Sequence, residues 1–354
     1  MVPSIIEEGL SCFERWRYME NVAIVVVTFK RQELLRKLFD SYLNSTEAPW
    51  RIVVVDNENS QATAEVVRVF EDEANDLWGN GGADSRGGES RVVYCPQPEN
   101  LGGSGGFSAG VKAAYELGAQ WFWLMDDDVA IEPEGLARLS KWAERYQVVQ
   151  GSRYDYDGGP FYWQYHFSIS LGIYDPFAPA AFNFEEERPM NVACFEGGLF
   201  AREVVERIGF PDDRFFLYWD DAMYGYRASK VCQPVVVPDF VMRRTREMKN
   251  WDIAGVRQLN STSDNTRYYI MRNRGYMARY FKYYGDYRRF AFGLGTLLTF
   301  AKEFVRLIIV DRAHFASGTK RLFAGWRDSR KILRDASWQP MPSLVDVTGA
   351  TKAE

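Results

Sequence analysis

Apolar and polar positions sort the first 130 residues into strands and helices. "VAIVVVT", residues 22–28, is a β-branched run closed by Thr28. An apolar run without alternation predicts a strand buried on both faces. "RQELLRKLFDSYLNS" follows, with Leu34, Leu35, Leu38, Phe39 and Tyr42 at helical spacing. "WRIVVVDNENS" predicts a second buried strand that stops at Asp56-Asn57, and "ATAEVVRVFEDEAND" a second helix. A Gly- and Ser-rich loop around 79–90 comes next, expected to be mobile. "RVVYCPQPEN" reads as a strand, "GGFSAGVKAAYELGA" as a Gly-rich helix start and "QWFWLMDDD" as a fourth strand. Strands alternating with helices predict an α/β fold, an open and mostly parallel sheet with helices on both faces.

In such sheets ligands bind at the carboxyl ends of the strands. Thr28, Asp56 and Asp126 to Asp128 all sit there and are expected to share one crevice. Beyond about residue 139 the pattern loosens. Residues 154–184 are aromatic and turn-rich, as strands and loops lining a binding surface would be. "VACFEGGLFAREVVERIG" predicts strand, turn and helix, and "PVVVPD" a short strand. "RFFLYWDDAMYGYRASKVC" places Asp220 and Asp221 in the first turn of a helix.

Composition changes this picture in three ways. The four cysteines (12, 95, 194 and 232) are far apart and form no CxxC pair, which predicts free thiols in a reducing cytoplasm rather than a zinc site or a disulfide framework. The first 21 residues are acidic and lack a long apolar core, so they are not expected to be a signal peptide. The most apolar stretch, residues 290–310, is broken by Lys302, Glu303 and Arg306, and predicts an amphipathic or buried helix rather than a membrane span.

Charge is distributed unevenly. Residues 267–334 carry 16 Lys and Arg against 4 Asp and Glu, while the whole chain is −5. Fifteen aromatics are interleaved with that basic charge. A basic, aromatic helical region without a span suits an anionic membrane surface. A solvated bundle packed on an acidic body is the ordinary alternative. RNA would use similar chemistry but is not the expected partner. The chain therefore divides into an N-terminal extension (1–20), a catalytic α/β domain (21–265) and a C-terminal helical region (266–354). Oligomerisation is possible and has no signature in the sequence.

Candidate chemistry rests on carboxylates. In an extended chain Asp126 and Asp128 point to one face and Asp127 to the other. Two hard oxygen ligands on one face suit Mn²⁺ or Mg²⁺ and a diphosphate. Asp127 is left to meet a hydroxyl or a backbone amide. Glycines 102 and 103, in "ENLGGSGGFSAG", allow close approach at a helix start, although the motif has neither Rossmann nor Walker spacing. Asp220 or Asp221, desolvated beside Trp219, would have the raised pKa of a useful base; capping of the helix is the alternative. Trp163, Trp219 and Tyr224 could stack on acceptor sugars or simply fill the core. Glu196 could accept a sugar hydroxyl.

"VVVTFKR", "VVVDN", "NLGGSGGFSAG", "WLMDDD" and "WDDAMYGYRA" occur in the order that resembles inverting family 2 glycosyltransferases of the GT-A fold. The likeness is greatest to bacterial galactofuranosyltransferases of the mycobacterial galactan type, and "YYIMRNRGYMARYF" looks like the aromatic Arg-Asn-Arg segment that follows their catalytic domain. The resemblance spans about residues 20–285. It implies that Thr28, Phe29 and Arg31 line the nucleotide pocket and that Asp56 holds uracil or ribose. Asn100, Gly102 and Gly103 would approach the donor together with Asp127. Asp126 and Asp128 would hold Mn²⁺ or Mg²⁺ and the UDP diphosphate, and Asp221, with Asp220 as runner-up, would be the general base.

The donor so implied is UDP-galactofuranose. The acceptor is a lipid-linked or growing cell-surface glycan, handled by a peripheral enzyme on the inner face of the cell membrane. dTDP-rhamnose as donor, a nucleotidyltransferase and a non-enzymatic glycan-binding protein are the competing readings. The sequence departs from the pattern at one point. The metal-ligand His expected after the strand that follows the base helix is absent, and Arg243 and Arg244 stand there as candidate diphosphate contacts. His166 and His314, the two histidines present, lie elsewhere; His166 suits a structural or acceptor-lining place.

Overall fold

The computed structural model describes residues 19–79, 90–159, 161, 165–175, 184–247, 250–253 and 257–345. Trp163, the extension up to residue 18 and nearly all of the 79–90 loop lie outside them. The chain runs through β1 (Val22–Thr28), α1 (Gln32–Leu43), β2 (Arg51–Asp56), α2 (Gln61–Trp78), β3 (Val92–Pro96), α3 (Gly102–Leu117), β4 (Trp121–Asp126), β5 (Val129–Ile131), α4 (Gly135–Ala143) and β6 (Val148–Tyr154). Then come β7 (Phe167–Ser168), β8 (Ile173–Tyr174), β9 (Arg188–Pro189), β10 (Gly198–Ala201), α5 (Arg202–Ile208), α6 (Asp220–Ala228), β11 (Val235–Arg244), β12 (Asn250–Ile253) and β13 (Arg257–Asn260). Helices α7 (Asp264–Arg272), α8 (Arg274–Tyr283), α9 (Arg289–Ile309) and α10 (Phe315–Arg334) complete it.

The central sheet has the order β3-β2-β1-β4-β10-β6-β11-β5, with β9 on β11. It is parallel from β3 to β4, as the alternating pattern predicts. Strand β10 runs antiparallel between β4 and β6. Every residue of β1 and β2 is buried, which accounts for their unbroken apolar runs. One face of the sheet is covered by α1, α2 and α4, the other by α3, α5 and α6. Helix α3 lies close against β1 because Gly106 and Gly110 face it: a Cβ on either would come within 2.5 Å of Val27 or 2.4 Å of Val25.

Register then fixes the crevice. Thr28 is opposite Asp56, and Asp126 is opposite Val27, so these chain ends fall side by side. The C-terminal helices pack next to this edge. Their aromatic core joins α6, α8 and Phe292 of α9. Among the described residues no helix is long and apolar enough to cross a membrane.

Candidate active site

Strand β4 delivers Asp126, Asp127 and Asp128 into a tight turn before β5. Asp127 points to β1, as alternation requires: Thr28 Oγ1 donates to its Oδ2 at 2.8 Å and Arg31 Nη1 to its Oδ1 at 2.9 Å. Arg31 reaches Asp128 as well, at 3.3 Å. Burial pushes the Asp126 carboxyl well above its ordinary range, and Asp128, Glu196 and Asp127 push it further. Burial and Glu196 raise Asp128 too, against the pull of Arg31, Arg244 and Arg246.

Two hard, mutually repelling carboxylates are a donor set that a divalent cation relieves. Among the described residues no three His, Cys, Asp or Glu side chains converge on one point. A divalent cation held by Asp126 and Asp128 would need diphosphate and water to complete its shell. His166 is half exposed near Asp175, and His314 sits in a 3-10 turn before α10; neither is at the crevice.

Glu196 stands between this group and the second one. Arg244 grips it with Nε and Nη2 at 2.7 and 2.8 Å, and Arg153 adds a contact at 3.1 Å. Burial alone would raise the Glu196 carboxyl, but Arg153 and Arg244 hold it below the usual range. Its charge acts on Asp126 and Asp128 on one side and on Asp221 on the other. Glu196 is thus the electrostatic link between the two acidic clusters.

Asp220 and Asp221 open α6. Burial and the neighbouring Asp221 raise Asp220 to about 7. Burial raises Asp221 to about 6, while the Ala222 amide (2.6 Å to Oδ1), the Cys194 thiol and Arg153 pull it back. Both values suit a base working near neutrality. Asp220 faces the glycine loop: an ideal Cβ on Gly103 would lie 3.9 Å from its Oδ2. Gly102 has a φ of +71°, and a Cβ there would meet the Phe216 carbonyl at 2.1 Å, so only glycine lets α3 start against the loop that precedes α6. Asn100 Oδ1 accepts from the Gly102 amide at 2.9 Å and shapes that start.

That loop is strained. Phe216, Tyr218 and Trp219 have φ of +62°, +74° and +70°, a region that bulky residues avoid. It is held from behind by α7 and α8. The buried Asn273 Nδ2 donates to the carbonyls of Phe215 (2.9 Å), Leu217 (2.8 Å) and Tyr218 (2.8 Å). Arg272 Nη2 donates to Arg214 and Phe215, and Trp219 Nε1 to Ile270. Arg274 turns the other way, to Gly172, Leu171 and Thr296. Sequence reasoning missed this clamp. Its signal was the Arg-Asn-Arg set between the aromatic and apolar runs "YYIM" and "GYMA", since buried polar groups need partners.

Other expected residues fall as follows. Phe29 is partly exposed at the crevice rim. Asp56 is fully buried and shapes the loop after β2, accepting from the Glu58 and Ser60 amides and from Tyr94 Oη. Trp219 stacks on Tyr174, with ring centroids 5.9 Å apart. Two expectations need correction. Tyr224 does not line the acceptor: it lies on the inward side of α6, packed on Phe195 and Phe200, and its hydroxyl donates to the Gly209 carbonyl. Arg243, expected as a diphosphate contact together with Arg244, is turned away from it by strand alternation and pairs with Glu132 at 2.7 Å. Arg244 and Arg246 are the cations of this strand end that act on Asp128.

Comparison with known proteins adds a lineage to this geometry. The sequence model of glycosyl transferase family 2 matches residues 23–209, more than half of the chain. Galactofuranosyltransferase GlfT1 of Mycolicibacterium smegmatis is 26% identical over 275 residues, covering 73% of this chain and 83% of that protein. Galactofuranosyltransferase GlfT1 of Mycobacterium tuberculosis H37Rv is 30% identical over 210 residues, covering 57% and 62%. The mannosyltransferase PcManGT of Pyrobaculum calidifontis, solved with GDP-Man and Mn²⁺, aligns at a TM-score of 0.49 with 14% identity, over 89% of this chain and 88% of that one. The mixed sheet of GT-A architecture and the family match lead to one conclusion: the chain belongs to glycosyl transferase family 2 and is a glycosyltransferase.

Proposed function

We propose that this enzyme transfers galactofuranose from UDP-galactofuranose, with inversion, to a hydroxyl of a lipid-linked or growing glycan at an anionic membrane surface. The observation that supports the reading is Glu196, held by Arg153 and Arg244, whose charge acts on Asp126 and Asp128 and also on Asp221. The galactofuranosyltransferase names of the relatives support the donor.

Each residue then has a task. Thr28, Phe29, Arg31 and Asp56 border the nucleoside and phosphate end, and Asn100, Gly102 and Gly103 bring backbone close to the sugar. Asp127, fixed by Thr28 and Arg31, holds the turn in place. Asp126 and Asp128 hold Mn²⁺ or Mg²⁺, which when bound neutralises charge on the departing diphosphate. Asp221 accepts the proton of the acceptor hydroxyl as that oxygen bonds to the anomeric carbon and the bond to UDP breaks. One displacement gives inversion without a covalent enzyme intermediate.

The test is incubation of the purified protein with UDP-galactofuranose and dTDP-rhamnose, scoring nucleotide release with Mn²⁺ and with EDTA. Release of UDP from the galactofuranose donor, lost in EDTA, is expected. Preference for dTDP-rhamnose would reassign the donor, and full turnover in EDTA would replace the metal with direct arginine contacts. No release from either donor would overturn the reading.

A further inference from the structure

Helix α9 carries an apolar stripe that stays exposed among the described residues. Phe290 is 90% exposed, Leu294 and Leu297 just over half, and Leu298, Val305 and Ile308 between 43 and 47%. At 100° per residue these six fall within one third of the helix circumference. The stripe is bracketed by exposed arginines, Arg288 and Arg289 at one end and Arg312 at the other. Exposed Lys320, Arg327, Arg330 and Lys331 on α10 continue the basic charge. An apolar face rimmed by cations is complementary to an anionic bilayer.

The stripe borders a cleft beside the loop that precedes α6. Leu298 on its edge is also a wall of a cleft of about 280 Å³, whose other walls include Tyr174, Tyr218, Trp219 and Ile270, with Lys302 and Glu303 beside them. Trp219 directly precedes Asp220, and Tyr174 stacks on it at 27° between ring planes. Arg274 fixes the whole arrangement by joining α8 to α9 and to the turn before β8. Aromatic walls of this kind stack on the CH faces of sugars, and a lysine at such a mouth pairs with phosphate.

We propose that this cleft is the acceptor subsite and that it receives a lipid-linked glycan from an anionic bilayer on which the α9 stripe is seated. The proposal rests on the transfer reading above for the identity of the base, Asp221. The glycan enters past Leu298 and Lys302, and its lipid remains in the membrane along Leu294 and Leu297.

Two measurements test it. The full-length protein and the Leu294→Asp/Leu297→Asp variant are sedimented with phosphatidylcholine vesicles, with and without phosphatidylglycerol. Wild type is expected to follow the phosphatidylglycerol vesicles and the variant to stay in solution, a loss of at least about tenfold in partitioning. Transfer is then compared on a methyl galactofuranoside in solution and on a long-chain alkyl galactofuranoside in the same vesicles. The variant is expected to keep the first activity and lose the second, and Leu298→Trp to raise KM for both acceptors without changing UDP affinity. Vesicle binding by the variant equal to wild type, equal loss on both acceptors, or an unaltered KM in Leu298→Trp would overturn the proposal. Failure of wild type to use either acceptor overturns the transfer reading, whereas vesicle binding is read without turnover and still decides the seat of α9.

Discussion

Asn273→Ala removes one amide from the place where the C-terminal helices hold the loop before Asp220 and Asp221, the latter the proposed base. Arg272 keeps its bond to the Phe215 carbonyl, so the Leu217 and Tyr218 carbonyls lose their Asn273 donor. A buried polar group left without its partner costs about 1–3 kcal/mol, so a rigid loop would lose about 2–6 kcal/mol. The loop has another way to respond. Phe216, Tyr218 and Trp219 each store roughly 1–3 kcal/mol in their positive φ, and relaxation releases part of it. The chain is therefore expected to stay folded, with a loss on the order of 1–2 kcal/mol in urea or thermal unfolding, while the start of α6 shifts.

A shift of about 1 Å in a reacting group costs on the order of 10²-fold in rate. The expected outcome is a kcat for transfer about 100-fold lower with UDP affinity within about twofold of wild type, because Asp126 and Asp128 hang on β4 and not on this loop. The pH profile supplies a readout that mere loss of packing would not give. Asp220 and Asp221 titrate at about 7 and about 6 because they are buried. Exposure in the variant should move the acid limb down toward the ordinary carboxylate range. A normal kcat, an unmoved acid limb, or a rate loss matched by lost UDP binding would refute the reasoning.

The remaining predictions concern the two acidic clusters. Asp221→Asn should bind UDP and fail to transfer. It should also outlast wild type in thermal unfolding at pH 8. The folded carboxyl titrates at about 6 against 3.8 when free, so wild type loses stability as pH rises through that window. The gap, about 2–3 kcal/mol at most, should close below pH 4, and a gap constant with pH would count against a raised Asp221. Glu196→Gln leaves Arg153 and Arg244 in a buried site without their charge partner and should cost roughly 3 kcal/mol in denaturant unfolding at pH 8. Because the Glu196 carboxyl is held low, that penalty should fade as pH drops through its folded pKa; a penalty that grows with acid would contradict the ion pairs.

The sheet was legible wherever local pattern decides structure. Unbroken apolar runs gave β1, β2 and β4, and their last residues gave Thr28, Asp56 and the Asp triplet. Helical spacing placed Asp220 and Asp221 on the first turn of α6. What stayed hidden depends on partners far away in sequence. Glu196 meets Arg244 across 48 positions, and Asn273 meets Leu217 across 56. No local periodicity records such pairs. The basic count of residues 267–334 reads as charge facing a membrane or solvent, yet Arg267 and Arg274 are buried and bonded to Asp264 and Gly172. Composition counts charges without saying which of them face water.

The Arg-Asn-Arg joint ties the last quarter of the chain to the loop that leads into α6. Helices α7 to α9 are therefore not a transferable cassette. A chimera that borrows them from a relative to alter acceptor preference inherits a mismatched brace unless the 214–219 segment travels with them.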